Sequence, residues 1–213
     1  KKYFEYAGAA GGYIDKYGFP YCRGRLLNTI EVDEGQYNLP KQIFWASGAC
    51  FIIRSKIFWK FNGFDGDFFA HQEEIDLCWR IFNQNYKIYA LGESKVFHIG
   101  GVTLPKSANK TYLNHKNSLF MLMKNLPAKH KFSILLSRIL INAAIALYCL
   151  FSLKLLNLIS ILRAHIAFII SFRRFALKDR EIRKRTDYYK HKSIIYAYFI
   201  RGFTYFGDLN QKN

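Results

Sequence analysis

The residue types best suited to chemistry sit together in His71-Gln72-Glu73-Glu74-Ile75-Asp76, where three carboxylates fall within four positions. Ile75, Leu77, Cys78, Ile81 and Phe82 recur at helical spacing, so the pattern predicts a helix over 73–84 with the acids in its first turn. Two readings follow. The positive end of the helix dipole favours acids there, and they could serve the helix alone. Alternatively, one carboxylate faces a cleft, crowding by its neighbours raises its proton affinity, and it takes a proton from a hydroxyl as general base. His98, ahead of Gly100 and Gly101, is open to a structural hydrogen-bonded role or to metal ligation. The glycine-rich run Ala7 to Tyr13 lacks the Gly-Lys-Ser/Thr ending of a phosphate loop and any preceding apolar strand, and reads as a surface loop.

These groups need a scaffold. Ile43 to Trp45 reads as a short strand, 46–49 as a tight turn and Cys50 to Ile53 as a second strand. Ser55 is placed to cap a short helix through Phe61, with Gly63 ending it. Residues 64–70 form a loop before the acidic helix. Tyr86 to Leu91 and Lys95 to Ile99 alternate as strands do, a loop with Gly100, Gly101 and Pro105 follows, and Thr111 to Leu126 is an amphipathic helix. Lys106, Lys110, Lys116 and Asn117 either reach anionic substrate oxygens or form a solvated basic face. The fold class is α/β followed by a helical tail.

The run Trp45-Ala46-Ser47-Gly48-Ala49, Arg54, Gly63-Phe64-Asp65, Phe68-Phe69, Glu73 to Arg80 and His98 resembles the C-terminal half of family-two GT-A glycosyltransferases. Their pattern reads roughly W-x-S-G-A, G-G-F-D-E-x-F-F, E-D-x-D-L-x-x-R, then a His before a glycine pair. Order and spacing agree over about residues 43–126, with Asn62 for the first paired glycine and Glu74 for the usual Asp of the acidic motif. The resemblance implies a partial GT-A (nucleotide-diphospho-sugar transferase) fold and inverting sugar transfer. Its general base is one of Glu74, Glu73 and Asp76, with Glu74 favoured. Trp45, Ser47, Gly48, Ala49 and Asp65 lie at the substrates, and His98 lies at or near a divalent metal, Mn²⁺ or Mg²⁺. Arg80 is read as pairing with acids of its own helix. Asp65-Gly66-Asp67 spells the family's metal-binding DxD, yet its place matches the G-F-D-E loop. A true DxD belongs upstream, where about forty residues hold no such strand-ended motif, so the donor-binding half is expected outside this chain. The expected partners are a nucleotide-sugar donor and a saccharide or lipid-linked acceptor. The rival is a non-catalytic membrane module that binds glycan or protein.

Composition adds the setting. Residues 1–128 carry 16 Lys and Arg against 11 Asp and Glu, whereas 129–213 carry 16 against 4, so most of the net +17 belongs to the tail. Within segment 129–172, Phe132 to Phe172 is almost continuously apolar, interrupted by Arg138, Lys154, Arg163 and His165. Its longest charge-free stretch, Ile139 to Leu153, would reach about 22 Å, short of a roughly 30 Å hydrocarbon core. A helical hairpin embedded in one leaflet or packed on a partner fits better than two ordinary spans. Segment 173–213 opens with nine Lys and Arg against three acids over Arg173 to Lys192, suiting an anionic membrane surface at the cytoplasmic face. A nucleic-acid partner is disfavoured, because an RNA-binding arm has no use for the apolar hairpin. Ser193 to Phe206 reads as a last aromatic helix at the interface. The four scattered cysteines, without a CxxC pair, read as small buried hydrophobes in a reducing compartment. The chain opens at Lys1 without Met and is read as a piece of a longer polypeptide.

Overall fold

A computed structural model describes residues 2–6, 8–98, 108–178 and 184–210. Mixed helix and sheet share one core. The glycine- and tyrosine-rich start, which the pattern left without elements, is an antiparallel meander of β1 (Gly12–Ile14), β2 (Pro20–Cys22), β3 (Arg25–Leu26) and β4 (Thr29–Ile30) in sequential order. Strands of two or three residues are too short for alternation to show. Tyr13 faces Tyr21 and Gly12 faces Cys22 across β1 and β2, and Cys22 faces Arg25 across β2 and β3. A second, two-stranded sheet pairs β5 (Lys41–Ile43) with β6 (Ile88–Ala90), Ile43 opposite Ile88.

Gly12 joins the two sheets. Its N–H donates to the Trp45 carbonyl at 3.0 Å, and its own carbonyl accepts from Phe44 N–H at 2.9 Å. A Cβ on Gly12 would stand 2.0 Å from the Trp45 ring, so only glycine admits the indole.

Helix α1 (Ser55–Lys60) forms as expected, but Arg54 occupies the cap position and no side chain caps it. Gly63, at φ +57°, sends its N–H back to the Phe58 carbonyl at 2.9 Å and closes the turn. Cys50 to Ile53 is not a strand, nor are residues 95–98; Ile99, Gly100, Gly101, Pro105 and Lys106 lie outside the described residues. Helix α2 (Glu73–Asn83) is apolar on two sides. Leu77 and Ile81 pack on Phe61, while Ile75, Cys78 and Trp79 enter the main core.

Helix α3 (Ala108–Asn125) leads into the hairpin of α4 (Ala128–Phe151) and α5 (Leu155–Leu177). By length and composition, α4 and α5 could each cross a membrane. At 1.5 Å per residue they extend about 36 and 34 Å, longer than the charge-free stretch suggested. Their buried sides mix polar groups with apolar ones. The buried side of α4 holds Arg138 and Asn142, and that of α5 holds Ser160, whereas Leu136, Leu140, Leu147, Ile159, Ile166 and Ile170 are exposed. Arg138 donates to the Tyr17 carbonyl at 3.0 Å and stacks on Phe19. Of the interruptions in the apolar run, Arg138 and Arg163 thus contact the rest of the molecule, whereas Lys154 and His165 bond within the hairpin.

The tail returns to the start of the chain. Tyr188 and Ile194 are buried in the main core. The Tyr188 hydroxyl donates to the Lys16 carbonyl at 2.7 Å, and Ile194 N–H donates to Asp15 at 3.0 Å. Helix α6 (Ile194–Phe199) is followed by an irregular segment and a 3-10 turn over Phe206–Asn210, in place of one interfacial helix. Tyr196, Phe199 and Tyr205 are exposed, whereas Leu209 is buried.

Candidate functional site

The acidic helix begins on a contorted loop. Phe69, His71 and Gln72 all have positive φ (62°, 69° and 70°), a left-handed conformation that costs a non-glycine residue about 1–3 kcal/mol. Asn117 on α3 holds it there. Its side-chain amide donates to the carbonyls of Phe68 (2.9 Å), Ala70 (2.8 Å) and His71 (2.7 Å), and the residue is fully buried. Gln72 adds a bond to the Asn114 carbonyl at 3.1 Å.

Three acids that look alike in sequence have different environments. Asp76 is buried and saturated: Arg80 Nε at 2.9 Å, Lys124 Nζ at 2.9 Å and Asn125 Nδ2 at 2.8 Å donate to it. The remaining donors of Arg80 reach the carbonyls of Phe61 and Gly63, which ties α2 to the end of α1. Asp76 thus joins α2 to α3 through its three donors. Glu73 and Glu74 each keep one buried oxygen without a hydrogen-bond partner. Burial pushes both up, and burial together with the neighbouring Glu73 charge brings Glu74 to about 7.

The turn after Trp45 comes to Glu74. The Gly48 amide hydrogen-bonds the Glu74 carboxyl, and a Cβ on Gly48 would meet the Glu74 side chain at 3.9 Å. Ser47 lies against Gly8, where a Cβ would come within 2.3 Å of the serine Cβ. A carboxylate that exchanges a proton near neutrality thus sits beside two turns. No protein-family model, curated protein or solved structure matches this chain.

The other site candidates separate. Ser47, Gly48 and Ala49 are near Glu74 or its turn, Ala49 N–H donating to Ser47 Oγ at 3.2 Å. Trp45 is buried, with its indole N–H on the Tyr13 carbonyl at 2.9 Å, and it packs the sheet junction. Asp65 caps the short turn Gly66–Phe68 through Asp67 N–H, and it pairs with Lys124 (2.7 Å) and Lys178 (2.7 Å). Burial pushes its carboxyl up, but the Lys124 and Lys178 bonds outweigh that and hold it well below the usual carboxylate range. Asp67 completes a clasp with Lys178 at 2.6 Å and with Arg174. His98 pairs with Glu5 at 3.5 Å. No group of three or more His, Cys, Asp and Glu side chains stands together among the described residues. Lys116 reaches the Asp67 carbonyl at 3.4 Å and lies over the Tyr112 and Phe120 rings, and Asn117 is committed to the loop. Cys22, Cys78 and Cys149 are buried as expected, but Cys50 is exposed.

Lys124 went unrecognised in the sequence as a site-shaping residue, as did the hold of Asn117 on the loop. Their partners lie in distant segments, and no local periodicity marks such contacts.

Proposed function

We propose that this chain is the acceptor-side part of an inverting GT-A glycosyltransferase working at the cytoplasmic face of a membrane. The carrying observation is Glu74, a carboxyl with a free buried oxygen, raised to about 7, against the Gly48 turn. In this reading Glu74 takes the proton of an acceptor hydroxyl. The acceptor oxygen bonds to the anomeric carbon while the bond from that carbon to the nucleoside diphosphate breaks. The diphosphate leaves with the electron pair and the configuration inverts. The donor comes from a nucleotide-sugar bound largely by residues outside this chain. A lipid-linked saccharide is the fitting acceptor, because the apolar hairpin brings the site to the membrane.

The hairpin fits a flat placement in one leaflet. Thr111 bonds Asn157 at 3.3 Å, Tyr112 lies under Arg163, and Phe120 stacks on Phe175, so α3 runs beside α5 in the same direction from Thr111 to Phe120. An upright α5 would carry Asn109 and Lys110 across the bilayer with it. The basic tail favours the cytoplasmic side.

The test begins with the intact mass of the natural polypeptide, followed by transfer from a panel of nucleotide-sugars to lipid-linked and free saccharides. Glu74→Gln should reduce transfer by at least about 10²-fold, the low end for a lost acid–base group, while the variant stays folded. Undiminished transfer by E74Q, or none from the natural polypeptide, would sink the reading. In the latter case glycan binding without turnover would mark a non-catalytic module.

A further inference from the structure

Arg25, on β3, is a buried cation without a counter-charge. It is 8% exposed and forms no ion pair among the described residues. Its Nη1 donates to the Leu27 carbonyl at 3.0 Å and its Nη2 approaches Cys22 Sγ at 3.6 Å, while its Nε–H, also buried, has no partner. The Tyr6 ring lies 4.4 Å from the guanidinium. An uncompensated buried guanidinium with an unmet N–H costs several kcal/mol unless an anion completes it.

Its place in the fold indicates which anion. Cys22, its cross-strand neighbour, lies within electrostatic reach of Arg25, Glu5 and Glu74 together. The turn from Gly8 to Gly11 bridges this hairpin to the site. Ala10 N–H donates to the Arg23 carbonyl at 2.9 Å on one side, and Gly8 abuts Ser47 on the other. Arg23 itself bonds the Ala10 carbonyl and stacks on Tyr37.

We propose that Arg25 forms an anion subsite of the Glu74 site, its free Nε–H taking a phosphate oxygen of a reacting substrate. On the transferase reading, which this inference extends, that phosphate belongs either to the leaving nucleoside diphosphate or to the phosphate joining a lipid to its saccharide. Guanidinium suits both, because its planar donors match phosphate oxygens and its charge is permanent.

The experiment is calorimetric titration of inorganic pyrophosphate into the 213-residue chain in detergent, with Arg25→Gln and Arg25→Lys beside it. Pyrophosphate should bind the unaltered chain, at least about tenfold more weakly to R25Q, and with intermediate strength to R25K, which keeps the charge but not the fork. Should R25Q fail to fold, R25K alone carries the comparison. Displacement by a nucleoside diphosphate assigns the subsite to the donor, and displacement by a short prenyl phosphate assigns it to the acceptor. Absence of pyrophosphate binding, or equal binding by all three chains, overturns the subsite and leaves the Glu74 reading standing. Loss of the Glu74 reading with pyrophosphate binding intact would leave an anion site without sugar chemistry.

Discussion

At the residue scale, Glu73, Glu74 and Asp76 show how environment separates identical chemistry. Asp76 has three donors, and Glu73 and Glu74 are each left with a bare oxygen. This has a consequence for stability. The Glu74 carboxyl titrates at about 7 in the fold against 4.5 in the open chain, so its contribution is fully present below about 4.5 and is lost as pH rises through about 7. Glutamine at this position has no charge to bury. E74Q should therefore be more stable than the unaltered chain at pH 8 by roughly 2–3 kcal/mol, and the gap should close as pH falls toward 4.5. Urea unfolding across that range checks it; a difference that ignores pH would mean Glu74 is not buried as an anion.

At the element scale, α3 acts as a spine on which the acidic loop is bent. Asn117→Ala would leave three loop carbonyls without their donor and should cost about 1–3 kcal/mol. It should also open the loop around Phe69 to protease, with Asn117→Asp, which lacks the amide hydrogens, behaving alike. A protease-resistant N117A of unchanged stability would show that the loop holds its shape unaided. Legibility in the sequence divides along the same line. The acidic helix, the short helix before it, α3 and the two tail helices stood out because their apolar residues repeat over whole turns. The meander did not, because its strands are two or three residues long. The clamp of Asn117 was hidden because its carbonyl partners lie 46 to 49 positions away. Arg138 and Lys124, read locally, look like flaws in an apolar run or solvent-facing charges; each is committed to a partner from another segment.

At the scale of the whole molecule, the exposed leucines and isoleucines of α4 and α5 bear on how the hairpin would meet lipid. On the proposed reading, a hairpin lying flat keeps its tip on the same side as the Gly48 turn. Cys50 is exposed at that turn, while Lys154 marks the tip. In sealed vesicles, Cys50 and a cysteine introduced by Lys154→Cys should both react with an impermeant maleimide added from one side. Labelling from opposite sides would mean that α4 and α5 cross the bilayer. The tail's return to Asp15 has a further consequence, for the order of synthesis. Ile194 meets a carboxylate made 179 positions earlier, and Tyr188 meets a carbonyl made 172 positions earlier. At about 5–20 residues per second, the first meander waits roughly 10–35 s for the strand of chain that covers it. Until Tyr188 and Ile194 arrive, the meander lacks the segment that covers it while the apolar hairpin is being made, so the nascent chain exposes both apolar surfaces at once.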